Sequence, residues 1–323
     1  MLRARIIGIG ACMPARIVHN NDLDPKLETS HEWIASRTGI EQRYIAGADE
    51  FTSTLAAGTA KNALQNAGVE AMSIDLILVA TTTPDDTMPA TATKVQHVIG
   101  AKNAAAFDIN AACSGFVYAM TTANSFIVSG AAKRVLVIGA ETYSRIMDWT
   151  DRSTCVLFGD GAAALLLEAA EGQGTADDRG ILASQIYTDG AFTHQLNTTG
   201  GVSSTQVSGH LTMAGKEIFR HAVGKMPDAV MRAMQSLGLP LSAIDWLVPH
   251  QANQRILAGV AQKLEIGDER IISTVAQHAN TSAASIPLAL YTGVQDGRIK
   301  EGQLIACPAL GAGLTWGCTV LRW

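Results

Sequence analysis

Apolar positions along this chain follow two alternating patterns. Short continuous runs of Val, Ile, Leu and Ala, bounded by polar residues or Gly, predict strands over 75–80, 105–109, 134–139, 163–167, 245–248 and 319–321. Between them, Ala-rich stretches with helical spacing predict helices over 53–67, 90–99, 114–129, 216–237 and 253–264. That alternation is the mark of a layered α/β protein. The first apolar run, near residues 5–7, reads as a strand that stops in a Gly turn at Gly8 and Gly10. The polar, Gly-rich stretch 172–180 reads as a linker.

The pattern also repeats. Gly68-Val69 followed by Ser73-Ile74-Asp75-Leu76-Ile77-Leu78-Val79 resembles Gly238-Leu239 followed by Ala243-Ile244-Asp245-Trp246-Leu247-Val248. Asp75 and Asp245 stand 170 positions apart, and the same offset carries Cys113 to Ala283, within Asn280-Thr281-Ser282-Ala283-Ala284-Ser285. A duplicated chain is therefore expected, cut into halves 1–172 and 173–323. Each half then puts a small-residue turn at the same point of its topology.

Composition narrows the function classes. Of 323 residues, 47% are hydrophobic and 16% charged, which allows a large core and excludes disorder. A net charge of −5 with 5% aromatics argues against nucleic acid, which calls for a basic surface. No apolar run approaches the roughly 18 residues that a bilayer span needs, and the N-terminal run is too short for a signal peptide. Five cysteines (Cys12, Cys113, Cys155, Cys307 and Cys318) show no paired spacing, as expected in a reducing cytoplasm. CxxC, HxxxH and HExxH are absent, so no metal site is expected.

Candidate chemistry begins at Phe107-Asp108-Ile109-Asn110-Ala111-Ala112-Cys113-Ser114-Gly115-Phe116, a strand running into a turn and a charge-free helix. Such a helix should be buried, with Gly130 just past its end. Cys113 lies at its N-terminus, where N–H groups and the macrodipole favour a thiolate. On this segment alone, nucleophile and packed core thiol stand level; the other four cysteines read as packing. His250 follows an apolar strand in Val248-Pro249-His250-Gln251-Ala252-Asn253-Gln254-Arg255, and Asn280 is expected at a similar strand-to-helix turn. Taken singly, the His reads as an ordinary satisfied residue and the Asn as a helix cap. Ala309-Leu310-Gly311-Ala312-Gly313-Leu314-Thr315-Trp316-Gly317 reads as a Gly-rich loop whose backbone could approach a ligand closely.

Together these segments, in this order, resemble the β-ketoacyl-acyl-carrier-protein synthase III family. Thr29-Ser30-His31-Glu32-Trp33-Ile34, Arg37-Thr38-Gly39-Ile40 and Phe158-Gly159-Asp160-Gly161-Ala162 join the resemblance, which spans residues 5 to 323. It implies a thiolase-like fold, two duplicated βαβαβ-type halves in an α/β/α/β/α arrangement around a shared buried helix pair. The N-terminal half would carry Cys113, and the C-terminal half His250 and Asn280.

The activity it implies is decarboxylative Claisen condensation of a short acyl-CoA, most simply acetyl-CoA, with malonyl-acyl-carrier protein, the start of fatty-acid synthesis. Cys113 would hold the acyl group, and His250 and Asn280 would donate hydrogen bonds to the enolate oxygen. Backbone N–H groups of Cys113 and Ala312 would form the oxyanion hole. Trp33, Arg37 and Arg152 would bind CoA, a substrate in an enzyme with no cofactor. Arg220 and residues Gln251, Ala252, Asn253, Gln254 and Arg255 would form the docking region for acyl-carrier protein, with Lys216 adding positive charge.

The resemblance further implies a homodimer in which Met88 reaches the neighbouring subunit's acyl pocket, and the cysteine usage a cytoplasmic one. Three positions depart from the usual pattern: Ala279 where the family commonly has Gly, Met88 where many members have Phe, and Leu310 for another Phe. They bear on backbone geometry beside Asn280 and on the choice of acyl chain. Three alternatives differ in chemistry: a condensing enzyme with a longer or branched primer or a CoA acceptor in specialised metabolism, a catalytically silent partner subunit, and a cysteine hydrolase. The intact Cys113, His250 and Asn280 weigh against a silent subunit, and the charge-free helix weighs against a hydrolase.

Overall fold

The computed structural model describes residues 1–23 and 25–323. From the N-terminus run β1 (Leu2–Cys12), β2 (Arg16–His19), α1 (His31–Thr38), β3 (Gln42–Ile45), α2 (Thr52–Ala67), β4 (Leu76–Ala80), α3 (Thr91–Ile99), β5 (Ala105–Ile109), α4 (Gly115–Val128), β6 (Arg134–Glu141) and β7 (Gly161–Glu171). Then come β8 (Gly180–Thr188), β9 (Leu196–Thr198), β10 (Leu211–Met213), α5 (Gly215–Ser236), β11 (Trp246–Leu247), α6 (Gln254–Lys263), α7 (Val275–His278), α8 (Ser285–Gln295), β12 (Leu304–Gly311) and β13 (Thr315–Arg322).

Strand β4, Leu-Ile-Leu-Val-Ala, is buried at every residue because it lies between β5 and β6, parallel to both, with helices over each face. It belongs to a five-stranded sheet of order β1-β7-β6-β4-β5; a second sheet has the order β11-β12-β13-β8. The chain passes from one sheet to the other between Glu171 and Gly180. Helices α2 and α3 cover the outer face of the first sheet, and α5 packs on the outer face of the second. Between the sheets lies α4, whose Phe116, Val117, Met120 and Ile127 share one core with Ile286 and Leu290 of α8. This is the five-layer α/β/α/β/α thiolase-like arrangement.

The offset of 170 positions holds residue for residue where the halves match. The 3-10 turns Ala112–Ser114 and Ser282–Ala284 correspond, as do β6 and β12, and Gly68 and Gly238 end their helices with positive φ. The Asp of each repeat also makes the same bond to a strand's first amide. Asp75 Oδ2 accepts from Arg134 N at 2.9 Å, and Asp245 Oδ2 from Leu304 N at 2.7 Å.

Two local expectations fail. Strand β1 does not stop at Gly8 and Gly10 but continues to Cys12. The glycines instead let α2 lie against the strand, since a Cβ on Gly10 would come within 2.4 Å of Ala63 N. Likewise, 309–317 is mostly strand: β12 runs through Gly311 and β13 starts at Thr315, leaving a tight hairpin.

Strand β6 touches the Ser282–Ala284 turn so closely that a Cβ on Gly139 would sit 2.3 Å from Ala283 O and 3.0 Å from Ala284 Cα. Both contacts are backbone and cannot swing aside. Gly139→Ala is therefore expected to destabilise the protein by about 3 kcal/mol, read as a lower denaturant midpoint; an unchanged midpoint would contradict this packing.

Candidate active site

The turn after β5 is tied down by the far end of the chain. Ala112 adopts φ 47°, unusual for a residue with a Cβ, and leads directly to Cys113. Ser114 Oγ donates to Thr315 O at 2.9 Å, while Thr315 Oγ1 donates to Ala111 O at 2.9 Å and Ala312 O at 3.0 Å. Gly311 lies against the same turn, where a Cβ would fall 2.7 Å from Cys113 N. Only Gly allows this strand end to approach the Cys113 amide.

Burial sets the state of the thiol. Desolvation pushes Cys113 up to about 12, against the opposing pull of the Ser282 hydroxyl and its own N–H. The thiolate expected at a helix start is thus not the resting form, because loss of water outweighs the helix terminus.

His250 follows the two-residue strand β11, its N–H donating to Pro308 O at 2.9 Å. The ring is buried, and desolvation lowers its pKa to about 3, so it stays neutral and keeps one N–H to donate. Asn280 follows the short helix α7, not the strand expected for it. Its Oδ1 accepts from Ser282 N at 2.9 Å, which commits the oxygen and leaves Nδ2 as the donor end. Ala279 before it holds φ 56° and ψ −158°, a region nearly restricted to Gly. The chain holds this Gly-like geometry with an Ala.

One cavity of about 740 Å³ brings Cys113, His250, Asn280 and Leu310 together. Trp33, Arg37, Arg152, Lys216, Arg220 and Arg255 line it as well. The guanidinium carbons of Arg37 and Arg152 lie 4.7 and 5.7 Å from the Trp33 ring centre. Arg220 is exposed and pairs with Glu217. Ala252 and Asn253 also line the cavity; the Asn253 side chain caps α6 by accepting from Ile256 N at 3.0 Å. Gln254 is exposed and its Oε1 accepts from Ser273 Oγ at 3.2 Å.

Gln251 departs from the expected docking surface. It is fully buried, donating to Pro249 O at 2.7 Å and accepting from Thr274 N at 2.8 Å, so it braces the His250 loop from inside. Met88 lies outside this cavity and is 84% exposed. Among the described residues, no group of three or more His, Cys, Asp or Glu could hold a metal.

Comparison with known proteins places this arrangement. The family profile of 3-oxoacyl-[acyl-carrier-protein] synthase III matches residues 107–190, and its C-terminal counterpart matches 234–323. Over the full length of both chains, the sequence is 54% identical to the beta-ketoacyl-[acyl-carrier-protein] synthase III of Agrobacterium fabrum and 53% identical to that of Brucella melitensis. The chain belongs to the 3-oxoacyl-[acyl-carrier-protein] synthase III family. In the crystal structure of the Aquifex aeolicus synthase III, 42% identical, 99% of this chain and 100% of that chain superpose with a TM-score of 0.93. The priming β-ketosynthase of the R1128 polyketide pathway gives 0.92 at 33% identity, over 99% of this chain and 96% of that one.

Around this synthase III site lie residues that pattern reasoning missed. Glu141, at the end of β6, is fully buried and accepts from Thr83 Oγ1 at 2.6 Å, Thr82 N at 3.1 Å and Thr81 Oγ1 at 3.1 Å. Burial raises its pKa. Tyr143 OH pairs with Thr82 Oγ1 at 3.0 Å. Thr82, Tyr143, Ala111, Ala112 and Ala312 line a second cavity of about 480 Å³ beside the nucleophile turn. The available signal was Glu141 itself, a carboxylate at the end of a strand that is apolar from Val135 to Ala140.

Two measurements test this geometry. His278 is half-buried, and desolvation lowers its pKa to about 4. As pH falls below about 6.5, the unfolded chain takes up protons at His250 and His278 before the folded one does, so stability falls with pH. Each group contributes up to about 1.4 kcal/mol per pH unit. His278→Gln should therefore flatten the pH dependence of the denaturant midpoint between about pH 6 and about pH 5; equal slopes would show that His278 is not held neutral. Separately, Ala279→Gly should raise stability by about 1 kcal/mol through relief of backbone strain, and a lower denaturant midpoint would contradict it.

Proposed function

We infer that this chain catalyses the decarboxylative condensation of a short acyl-CoA with malonyl-acyl-carrier protein, giving 3-oxoacyl-acyl-carrier protein, CoA and CO2 and initiating fatty-acid synthesis. The observation that carries the reading is the convergence of Cys113, His250 and Asn280 in one largely buried cavity with a cationic mouth.

Cys113 Sγ attacks the thioester carbonyl carbon and gives up its proton as the bond forms. The N–H groups of Cys113 and Ala312 receive the developing oxyanion. Collapse expels the CoA thiolate, which takes up a proton. Malonyl-acyl-carrier protein then enters and its carboxylate leaves as CO2. The remaining electron pair becomes an enolate, whose oxygen accepts from the neutral His250 ring N–H and from Asn280 Nδ2. Enolate carbon attacks the acyl-Cys113 carbonyl, the new C–C bond forms, and the thiolate departs to be reprotonated. Since CO2 loss supplies the electron pair, no strong base is needed, and two neutral donors suffice.

Around this core, Trp33, Arg37 and Arg152 are assigned to CoA, their aromatic face and guanidinium groups suiting a phosphorylated nucleotide. Arg220, Arg255 and Lys216 supply positive charge for an acidic carrier protein on a chain of net charge −5. No cofactor enters these steps. Halves 1–172 and 173–323 are taken as the two domains, the first providing the nucleophile and the second the donors. A homodimer is supported by the open edge of β5, where Phe107 is exposed, and by the exposed Met88, which is assigned to the partner's acyl pocket. A cytoplasmic setting suits five free cysteines.

Intact-mass analysis with labelled acetyl-CoA should detect acetylated wild type and no acylation of Cys113→Ala. Asn280→Ala and His250→Ala should still be acylated but condense with malonyl-acyl-carrier protein about a hundredfold more slowly. Absence of acylation by any acyl-CoA would overturn the assignment of Cys113. Acylation by longer or branched acyl-CoA alone would keep the mechanism and change the primer.

A further inference from the structure

Arg43, on β3, is a wholly buried cation held only by neutral acceptors. Its Nη1 donates to Asn20 Oδ1 at 2.8 Å and Val18 O at 3.5 Å, and its Nη2 to Val156 O at 2.8 Å. None of the ion pairs among the described residues includes it. Burying a guanidinium without a carboxylate is costly, so its bonds need a structural reason.

That reason lies in the three residues after Val156. Asn280 N–H donates to Leu157 O at 3.0 Å, and Gly159 N–H donates to Asn280 O at 3.0 Å. The segment from Val156 to Gly159 thus grips the Asn280 peptide on both sides. Beyond it, Asp160 N–H donates to Tyr44 O at 2.9 Å, next to Arg43 in the chain. Gly159 is wedged in, with a Cβ there falling 2.9 Å from His278 O and 3.0 Å from Arg43 Cβ. Asn280 itself follows Ala279, whose φ of 56° persists only where the surroundings over-determine it.

We propose that Arg43 is a positioning residue for Asn280: it fixes the 156–159 segment, whose backbone clamps the Asn280 peptide and so aims the amide into the cavity. The inference rests on the assignment of Asn280 to the condensation step. It makes Arg43 matter to one half-reaction and not the other, because acylation of Cys113 does not use Asn280.

The test measures two half-reactions in the full-length protein. Acylation by acetyl-CoA is followed by intact mass, and consumption of acetyl-Cys113 by malonyl-acyl-carrier protein in a single turnover. Arg43→Met is expected to acylate within about twofold of wild type but condense about ten- to a hundredfold more slowly. Arg43→Lys, which keeps a donor toward Val156 O, should fall between. Should Arg43→Met not fold, Gly159→Ala crowds the same clamp without removing the charge and should produce the same split. Equal loss in both half-reactions would make Arg43 merely structural, and no loss in either would also overturn the proposal. Asn280→Ala provides the reference. If it splits the half-reactions and the Arg43 variants do not, only the positioning role fails; if it does not split them, the assignment of Asn280 fails and takes the positioning role with it.

Discussion

The packing of two buried turns against each other is the contact on which the site depends. Ala112–Ser114 and Ser282–Ala284 meet between the two sheets, each beginning with a residue at positive φ, Ala112 at 47° and Ser282 at 49°. Neither conformation is favourable for a residue with a Cβ, so both must be imposed by their surroundings. Layers of sheet and buried helix on either side impose them. Cys113 and Asn280 therefore belong to different halves of the chain yet are positioned by one interface.

Dryness is the second consequence of that placement. The same desolvation pushes the Cys113 thiol up and the His250 imidazole down, leaving both groups neutral at rest. Positive charge collects instead at the mouth, on Arg37, Arg152, Lys216, Arg220 and Arg255. A low-dielectric interior strengthens hydrogen bonds to an oxygen that becomes anionic during reaction. Under the proposed function, the phosphates of CoA would stay at this charged mouth, outside the dry interior. The molecule thus keeps recognition and bond-making in different solvents.

Much of the fold was legible in the chain because its signals are local. The apolar run of β4 and the charge-free α4 could be read from their own residues, and the Asp75–Asp245 repeat predicted a correspondence that holds at the level of single hydrogen bonds. Failures came where a distant segment decides. Gly8 and Gly10 read as turn residues, since nothing nearby in sequence announces that α2 will lie on them. Gln251 read as surface because its partners, Ile272 and Thr274, are some twenty residues away. Cys113, His250 and Asn280 were each ambiguous alone and became a site only as an ordered set. Arg43 carried no signal, since its acceptors at Asn20 and Val156 belong to segments unrelated in sequence.

The offset shared by turns and strands of the two halves has a consequence for how such a chain can change length. The turns Ala71–Ser73 and Leu241–Ala243, the turns Ala112–Ser114 and Ser282–Ala284, and strands β6 and β12 each stand 170 positions apart, while the helices between them differ: α3 and α6 start 163 positions apart, and α8 ends at Gln295, three residues short of the place that matches the end of α4. An extra residue between Ser114 and Arg134 that the helix end or the loop did not absorb would shift β6 by one position against its neighbours and turn the Gly139 face away from the Ser282–Ala284 turn. Helices and the loops beside them can therefore trade length, provided the spacing from turn to strand is kept. The stretch from each turn to the strand that follows it behaves as a ruler of fixed length, whatever is gained or lost inside it.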